Sequence, residues 1–376
     1  MSKLGIGIIG CGNISTAYLK LAPLFAALEP RAVADLNPKA AEAQAAAFGL
    51  RAESVEDLLA APDIDMVVNL TIPAAHFEVS KRVLEAGKHV YSEKPFVLTL
   101  EEGEALRELA AKKGLRVGSA PDTFFGASHQ LARATIDAGK IGKVIGGTAH
   151  IMGHGMEAWH PNPDFFFQPG GGPVLDMGPY YVTNLVQLLG PVRAVSAMTA
   201  ASFATRTIGN GPREGETVPV DTPTNIHALL EFESGAIVTL GASWDVWAHR
   251  HPIMELYGES GSLYLPDPNF FGGDVALVGP DKVEMPQSWE HPFGVLNFTD
   301  NAGNEHANYR CSGLADMASG IAEGREHRCN LDLALHVVDV MTSILKSGER
   351  RDWVEMTTTC TRPAPLGPDE ARALLA

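Results

Sequence analysis

Gly5-Ile6-Gly7-Ile8-Ile9-Gly10-Cys11-Gly12-Asn13-Ile14-Ser15 is the stretch that decides the fold. An apolar run with the look of a buried strand ends in glycines and opens onto a helical pattern. The chain must turn sharply there, and its backbone must approach a ligand with no Cβ in the way; Gly10 and Gly12 meet those two needs. Ser15 stands where a third glycine is usual, and its small side chain still allows close packing of helix on strand. A helix beginning at Asn13 and Ile14 turns unpaired N–H groups and its positive dipole end toward an anion. The expected anion is the pyrophosphate of a dinucleotide.

The chain downstream continues this reading. Asp35 follows the apolar run Arg31–Ala34, about twenty residues beyond the glycines, where a carboxylate binds the adenosine ribose. With Leu36 beside it and no arginine following, Asp35 favours NAD, and NADP is the less favoured cofactor. Asn69, Leu70, Thr71, Pro73 and His76 come after a third apolar strand and are expected to form a second wall of the cofactor crevice. His76 reads more readily as a structural histidine than as a catalyst. Glu93-Lys94-Pro95 closes a fourth strand. A charged pair followed by proline at a strand end does not suit a core, and proline holds Lys94 in an extended backbone. An ammonium at that point could hold a substrate hydroxyl and stabilise a developing alkoxide.

From residue 4 to about 120, apolar strands alternate with helical patterns: Leu4–Ile9, Ile14–Phe25, Arg31–Asp35, Pro38–Phe48, Asp65–Leu70, Ala74–Ala86, His89–Ser92, Leu100–Lys113 and Leu115–Ser119. That alternation predicts a parallel sheet with crossover helices, an α/β dinucleotide-binding domain of the Rossmann type. Pro121-Asp122 marks the expected boundary between a nucleotide-binding domain, 1–122, and a substrate-binding and oligomerisation domain, 123–376. Beyond it, Lys143–Met152, Asn225–Phe232, Ala236–Ser243 and Ile253–Tyr257 read as longer strands between glycine turns. They predict an α+β domain with a mixed, mainly antiparallel sheet. Pro266–Asn304 reads as loop, and Leu314–Ala322 and Leu331–Lys346 as helices.

At 376 residues the chain exceeds one ordinary core. A net charge of −16 disfavours nucleic acid or an anionic membrane as partner. No apolar run is long enough to span a bilayer, and the opening residues lack the pattern of a signal peptide. Four scattered cysteines, without a Cys-x-x-Cys pair, point to a reduced, cytoplasmic protein. The thirteen histidines show no zinc spacing, so no metal is expected.

Gly10-Cys11-Gly12-Asn13-Ile14, Glu85-Ala86-Gly87-Lys88-His89-Val90 and Glu93-Lys94-Pro95 together resemble the Gfo/Idh/MocA family of oxidoreductases. The resemblance implies a dinucleotide-binding fold followed by a large open-faced sheet. It implies hydride transfer at a hydroxyl-bearing carbon of a sugar, sugar derivative or cyclitol, with Lys94 in the active site. It also implies association through the open sheet face, as a homodimer or homotetramer. Gly170–Tyr181 resembles the family's glycine-rich Asp-x-Gly-x-His segment. Asp176 matches the aspartate, and Tyr180 stands where many members carry histidine. A phenol is a poor base at neutral pH unless an ammonium such as that of Lys94 favours its phenolate, so Tyr180 is the expected proton acceptor and Asp176 its orienting partner. Lys94, Asp122, His154, Trp159, Asp176 and Tyr180 are the expected substrate contacts. Two other readings stay open at this point: glycoside cleavage through transient oxidation, and a non-catalytic NAD- or sugar-sensing regulator.

Overall fold

Strand β1 (Leu4–Ile9) becomes the central strand of a six-stranded parallel sheet because the chain winds outward from it in both directions. Helix α1 (Asn13–Leu21) leads to β2 (Leu28–Ala34), α2 (Pro38–Phe48) to β3 (Arg51–Glu53), and α3 (Val55–Ala60) carries the chain back across to β4 (Met66–Asn69). Then follow α4 (His76–Glu85), β5 (His89–Ser92), α5 (Leu100–Lys113) and β6 (Val117–Ser119). The order β3-β2-β1-β4-β5-β6 reverses between β1 and β4, and a crevice at the carboxyl ends of strands flanking such a switch is where ligands bind. Ile6, Ile8, Val33, Val67, Val68 and Val90 are buried, as expected of a sheet covered on both faces. Local chemistry sets the helix ends. Asn37 caps α2, Ser54 caps α3, Thr99 and Glu102 form a capping box on α5, and Gly49 and Gly114 end α2 and α5 in left-handed conformation.

The computed structural model describes residues 3–300 and 303–376. They form two units, and the division is not the single cut near residue 122 expected from the sequence. The first unit runs to Ala127 and also takes Glu290–Val338 and Pro363–Ala376; the second holds Ser128–Trp289 and Asp339–Arg362. The physical reason lies at the edge of the first sheet. The Ser119 N–H donates to Cys329 O at 3.1 Å, and Gly118 bridges Asn330, so the returning chain covers β6. Helix Ser312–Glu323 packs there through Leu314, Ala315 and Met317. Buried Asp316 anchors it by pairing with Arg328 and Arg325.

In the second unit, α6 (Ala127–Asp137) precedes β7 (Val144–Met152), α7 (Pro173–Leu189) and β8 (Val192–Ala200). A ribbon of β9 (Thr205–Thr207) and β10 (Thr217–Pro219) intervenes before β11 (Asn225–Phe232), β12 (Ile237–Ser243), β13 (Met254–Gly258), β14 (Ser262–Leu265), β15 (Val275–Val278) and β16 (Glu284–Gln287). Nine strands pair in the order β16-β15-β14-β13-β7-β12-β11-β8, with Val354–Glu355 at the far edge. Only the β7–β12 pairing is parallel among these ladders. Strand β11 alternates as such a sheet requires. Ile226, Ala228, Leu230 and Phe232 face the core, while His227 and Leu229 face outward. Helix α7 lies on the inner face against β7, β11 and β12.

Candidate active site

The two glycines of the first loop do different work. Gly10 has φ +104°, and a Cβ there would lie 2.6 Å from the Leu70 carbonyl carbon and oxygen. Gly10 is thus a fold requirement, letting the ends of β1 and β4 meet. Gly12 has an ordinary φ of −76°, and a Cβ there would meet nothing within 4 Å. The fold does not need its missing side chain, whereas a ligand approaching the backbone does. Gly12 is the N-cap of α1, and no side chain caps that end, in contrast to α2, α3 and α5. Asn13 and Ile14 form the first turn of the helix, and Ser15 Oγ donates to Gly12 O at 2.6 Å. These features fit a pyrophosphate. Gly12→Ala should therefore fold with an unchanged or slightly raised Tm but bind NAD weakly. Gly10→Ala should lose stability, by about 1–3 kcal/mol from backbone strain before the clash is counted. Thermal unfolding and NAD titration of both variants check this, and equal NAD affinity in Gly12→Ala would remove the cradle.

Asp35 closes the loop from the end of β2. Its Oδ2 accepts from the Cys11 N–H at 2.7 Å and its Oδ1 from the Asn37 N–H at 2.8 Å. Each oxygen keeps capacity for a ribose hydroxyl. Leu36 beside it is 94 % exposed and Ile72, across the switch, is 70 % exposed. Cys11 is buried, and burial first, then the Asp35 charge, pushes its thiol up to about 11, so it is a filler and not a nucleophile. Asp35→Ala should weaken NAD roughly 10–100-fold, the cost of a charged hydrogen-bonding group, with a smaller loss for NADP. Titrating both dinucleotides tests it, and an unchanged preference takes Asp35 out of the ribose site.

The wall after β4 is built by buried Asn69. Its Nδ2 donates to His76 O and Ser80 Oγ, both at 3.0 Å, and its Oδ1 accepts from the Thr71 hydroxyl at 2.7 Å. Leu70 is buried against Gly10, and Pro73 opens the short helical turn Pro73–Ala75. His76 is buried, with Nδ1 2.7 Å from Pro95 O and Nε2 3.0 Å from Thr71 O. Burial lowers its pKa against the pull of both carbonyls, and the neutral ring donates to one of the two loops at a time. The tie matters because Pro95 follows Lys94. On the other side, the Glu93 N–H donates to Asn69 O at 2.9 Å, and Glu93 Oε2 accepts the Lys94 N–H at 2.9 Å. The carboxyl ends of β1, β2, β4 and β5 thus come together with Gly10, Gly12, Asp35, Asn69, Thr71, His76, Glu93 and Lys94. Asp122 is not turned outward with them. It is buried, and its carboxylate accepts from the Gly313 N–H at 3.0 Å. Burial pushes its pKa up. The contact it makes here is to the backbone of the returning segment.

In the second unit, α7 begins at Pro173. Asp176 falls in the first turn, Pro179 in the interior, and Tyr180 one turn beyond Asp176 on the same side. The glycine run before it is sterically required at Gly171, where a Cβ would lie 2.5 Å from both Phe165 O and Phe166 O. Tyr180 and Tyr181 are both buried. The loop after β7 carries the other expected contacts. His154 stacks on Trp247 with ring centroids 3.4 Å apart, and Trp159 is exposed with its ring edge-on to His160. Sequence reasoning passed over Arg206 on β9. It pairs with Glu157 at 2.9 Å and with Asp245, donates to Trp244 O at 3.0 Å, and lies 3.5 Å from His154 Nε2. Nothing in its neighbours, Thr205 and Thr207, marks it; only the fold brings those acids to it. Among the described residues, no group of three His, Cys, Asp or Glu side chains is arranged to hold a metal ion, and no helix is long and apolar enough to cross a membrane.

Known proteins share both halves of this arrangement. Residues 4–120 match the oxidoreductase family with an NAD-binding Rossmann fold, and residues 129–264 match the GFO/IDH/MocA C-terminal domain. Levoglucosan dehydrogenase of Pseudarthrobacter phenanthrenivorans is 26 % identical over 95 % of this chain and 99 % of its own. A dTDP-3,4-didehydro-2,6-dideoxy-alpha-D-glucose 3-reductase of Saccharopolyspora spinosa is 30 % identical over 69 % of this chain and 73 % of its own. Inositol 2-dehydrogenase of Rhizobium meliloti is 29 % identical over 80 % and 85 %. The structure of a levoglucosan dehydrogenase in complex with NADH and L-sorbose superposes with a TM-score of 0.78 at 22 % identity, covering 95 % of this chain and all of that one. With the parallel sheet of the first unit and the mixed sheet of the second both matched, this chain belongs to the GFO/IDH/MocA family of NAD-binding oxidoreductases.

Proposed function

We propose that the protein is an NAD-dependent dehydrogenase of a sugar, sugar derivative or cyclitol. The observation that carries this is the open backbone at Gly12, beside Asp35 on one strand end and the doubly tied Lys94 segment on another. When bound, NAD supplies the hydride acceptor. Gly12 and the first turn of α1 hold its pyrophosphate, Asp35 the ribose, and the Asn69–His76 loop the far wall. Lys94 holds the reacting substrate hydroxyl and stabilises negative charge as it develops on that oxygen. Tyr180 takes the hydroxyl proton as general base, and Asp176 orients substrate or Tyr180. Buried Glu157 Oε2, His154 Nδ1 and Arg206 Nε have no hydrogen-bond partner among the described residues, and they are acceptors and donors of the kind a hydroxyl-rich ligand or water satisfies. The named activities of the relatives, on levoglucosan, inositol and a deoxysugar nucleotide, support this substrate class. Formation of NADH over a panel of sugars, cyclitols and anhydrosugars tests it. A panel-wide absence of NADH, with NAD bound, would replace the dehydrogenase by a sensor. Cleavage of a glycoside without net NADH would replace it by transient oxidation.

A further inference from the structure

The segment Tyr309–Gly313, far from the nucleotide-binding strands in sequence, reaches three of their working parts. Arg310 Nη1 donates to Glu93 Oε1 at 3.1 Å. Cys311 Sγ lies 3.5 Å from Tyr18 O, on the helix that follows the glycine cradle. The Gly313 N–H donates to Asp122. Glu93 is the junction. Its Oε1 also accepts from the Tyr18 hydroxyl at 2.9 Å, and its Oε2 accepts the Lys94 N–H. The carboxylate is 7 % exposed. Cys311 holds φ +85°, a left-handed conformation that a side chain adopts only when its surroundings impose it, so the register that aims Arg310 is maintained against a local cost.

We propose that Arg310 is a positioning residue for the Lys94 segment: its guanidinium fixes the Glu93 carboxylate, and that carboxylate joins α1 to the Lys94 backbone. The inference rests on the reading of Lys94 as catalytic and adds how Lys94 is held. The groups facing Glu93 are the Tyr18 phenol from α1, Tyr91 from β5, His76 from α4, Lys94 beside it, Asp122, and Arg310 and Cys311 from the returning segment. Burial raises the pKa of Glu93, but Arg310 and then Lys94 hold it below the usual carboxylate value. Without Arg310 the largest of the lowering causes is gone, and the buried carboxyl retains its proton to higher pH than in the wild type.

Arg310→Met, Arg310→Lys and Glu93→Gln test this. Arg310→Met should lower kcat by about 10²-fold, the scale of a misplaced reacting group, with KM for NAD nearly unchanged. Its kcat should also fall more steeply than that of the wild type as pH drops through neutrality, and Arg310→Lys should largely restore both. Melting temperature gives a readout without turnover. A carboxylate with a depressed pKa contributes stability above its unfolded-state value, and one with a raised pKa is penalised in the same range. The Tm deficit of Arg310→Met should therefore widen from about pH 5 to about pH 8, and Glu93→Gln in that background should remove the widening. A wild-type pH profile in Arg310→Met, or a Tm deficit independent of pH, overturns the proposal. Full turnover in Lys94→Ala removes the underlying reading and the proposal with it, whereas an inactive Lys94→Ala beside an unaffected Arg310→Met overturns the proposal alone.

Discussion

Lys94→Ala is expected to lower kcat by roughly 10²–10⁴-fold while NAD affinity stays close to that of the wild type. The asymmetry follows from how the segment is built. The Lys94 backbone is held by groups that the substitution leaves in place: Asn69 O on the Glu93 N–H, Glu93 on the Lys94 N–H, and His76 on Pro95 O. Gly12 and Asp35, the proposed pyrophosphate and ribose contacts, belong to other strand ends. The loss should therefore appear in the chemical step and not in cofactor binding. Lys94→Arg is the informative partner. It keeps the charge but replaces a compact ammonium by a planar fork, and should recover little of the activity if one point charge at one oxygen is what the reaction uses. Steady-state kinetics with NAD titration checks both, and substantial turnover in Lys94→Ala would return the charge-stabilising role to another group.

Much of the nucleotide-binding unit is legible in the sequence because local chemistry sets its element ends. Leu4–Ile9, Pro38–Phe48, His89–Ser92 and Leu100–Lys113 have the same bounds in the sequence reading and in the structure. The last shows why: Thr99 and Glu102 close a capping box at one end, and Gly114 takes the left-handed position at the other. What escapes is short or long-range. Arg51–Glu53 and Val55–Ala60 hold too few residues to show a period. The stretch read as loop, Pro266–Asn304, holds β15, β16 and Phe298–Thr299, which pairs with Glu305–His306 just beyond it, because Pro and Gly mark turns without saying what lies between them.

The site divides the same way. Gly10, Gly12 and Asp35 stand at spacings dictated by a strand, a turn and a crossover helix, so their pattern is readable. The burial of Asp122 is not readable beside it, because its partner, the Gly313 N–H, is 191 residues away. Arg310 pairs with Glu93 across 217 residues and has no local signature at all. Positions of backbone approach are legible one residue at a time; the charge that steadies them is a property of the assembled unit.

Tyr180→Phe is expected to lower kcat by roughly 10²–10⁴-fold, the range for loss of a general base, with a small change in Tm. The substitution deletes one oxygen and keeps the ring, which is 5 % exposed, so its packing on α7 survives. Its neighbour supplies the control. Tyr181 is also buried, its hydroxyl bonds to Asp267, and burial pushes its pKa far up, so it is held as a neutral phenol in the core. Tyr181→Phe should lower Tm and leave kcat nearly intact, because it strands the partly buried Asp267 without touching the proposed proton transfer. The two variants thus separate chemistry from packing on adjacent residues of one helix. Asp176→Asn, one turn earlier, should fall between them in activity, since it keeps a hydrogen-bonding group but loses the charge. Kinetics and thermal unfolding measured together on the three variants decide the matter. A Tyr180→Phe enzyme that loses stability but keeps turnover would make Tyr180 a second core tyrosine and move the proton to a histidine or to Lys94.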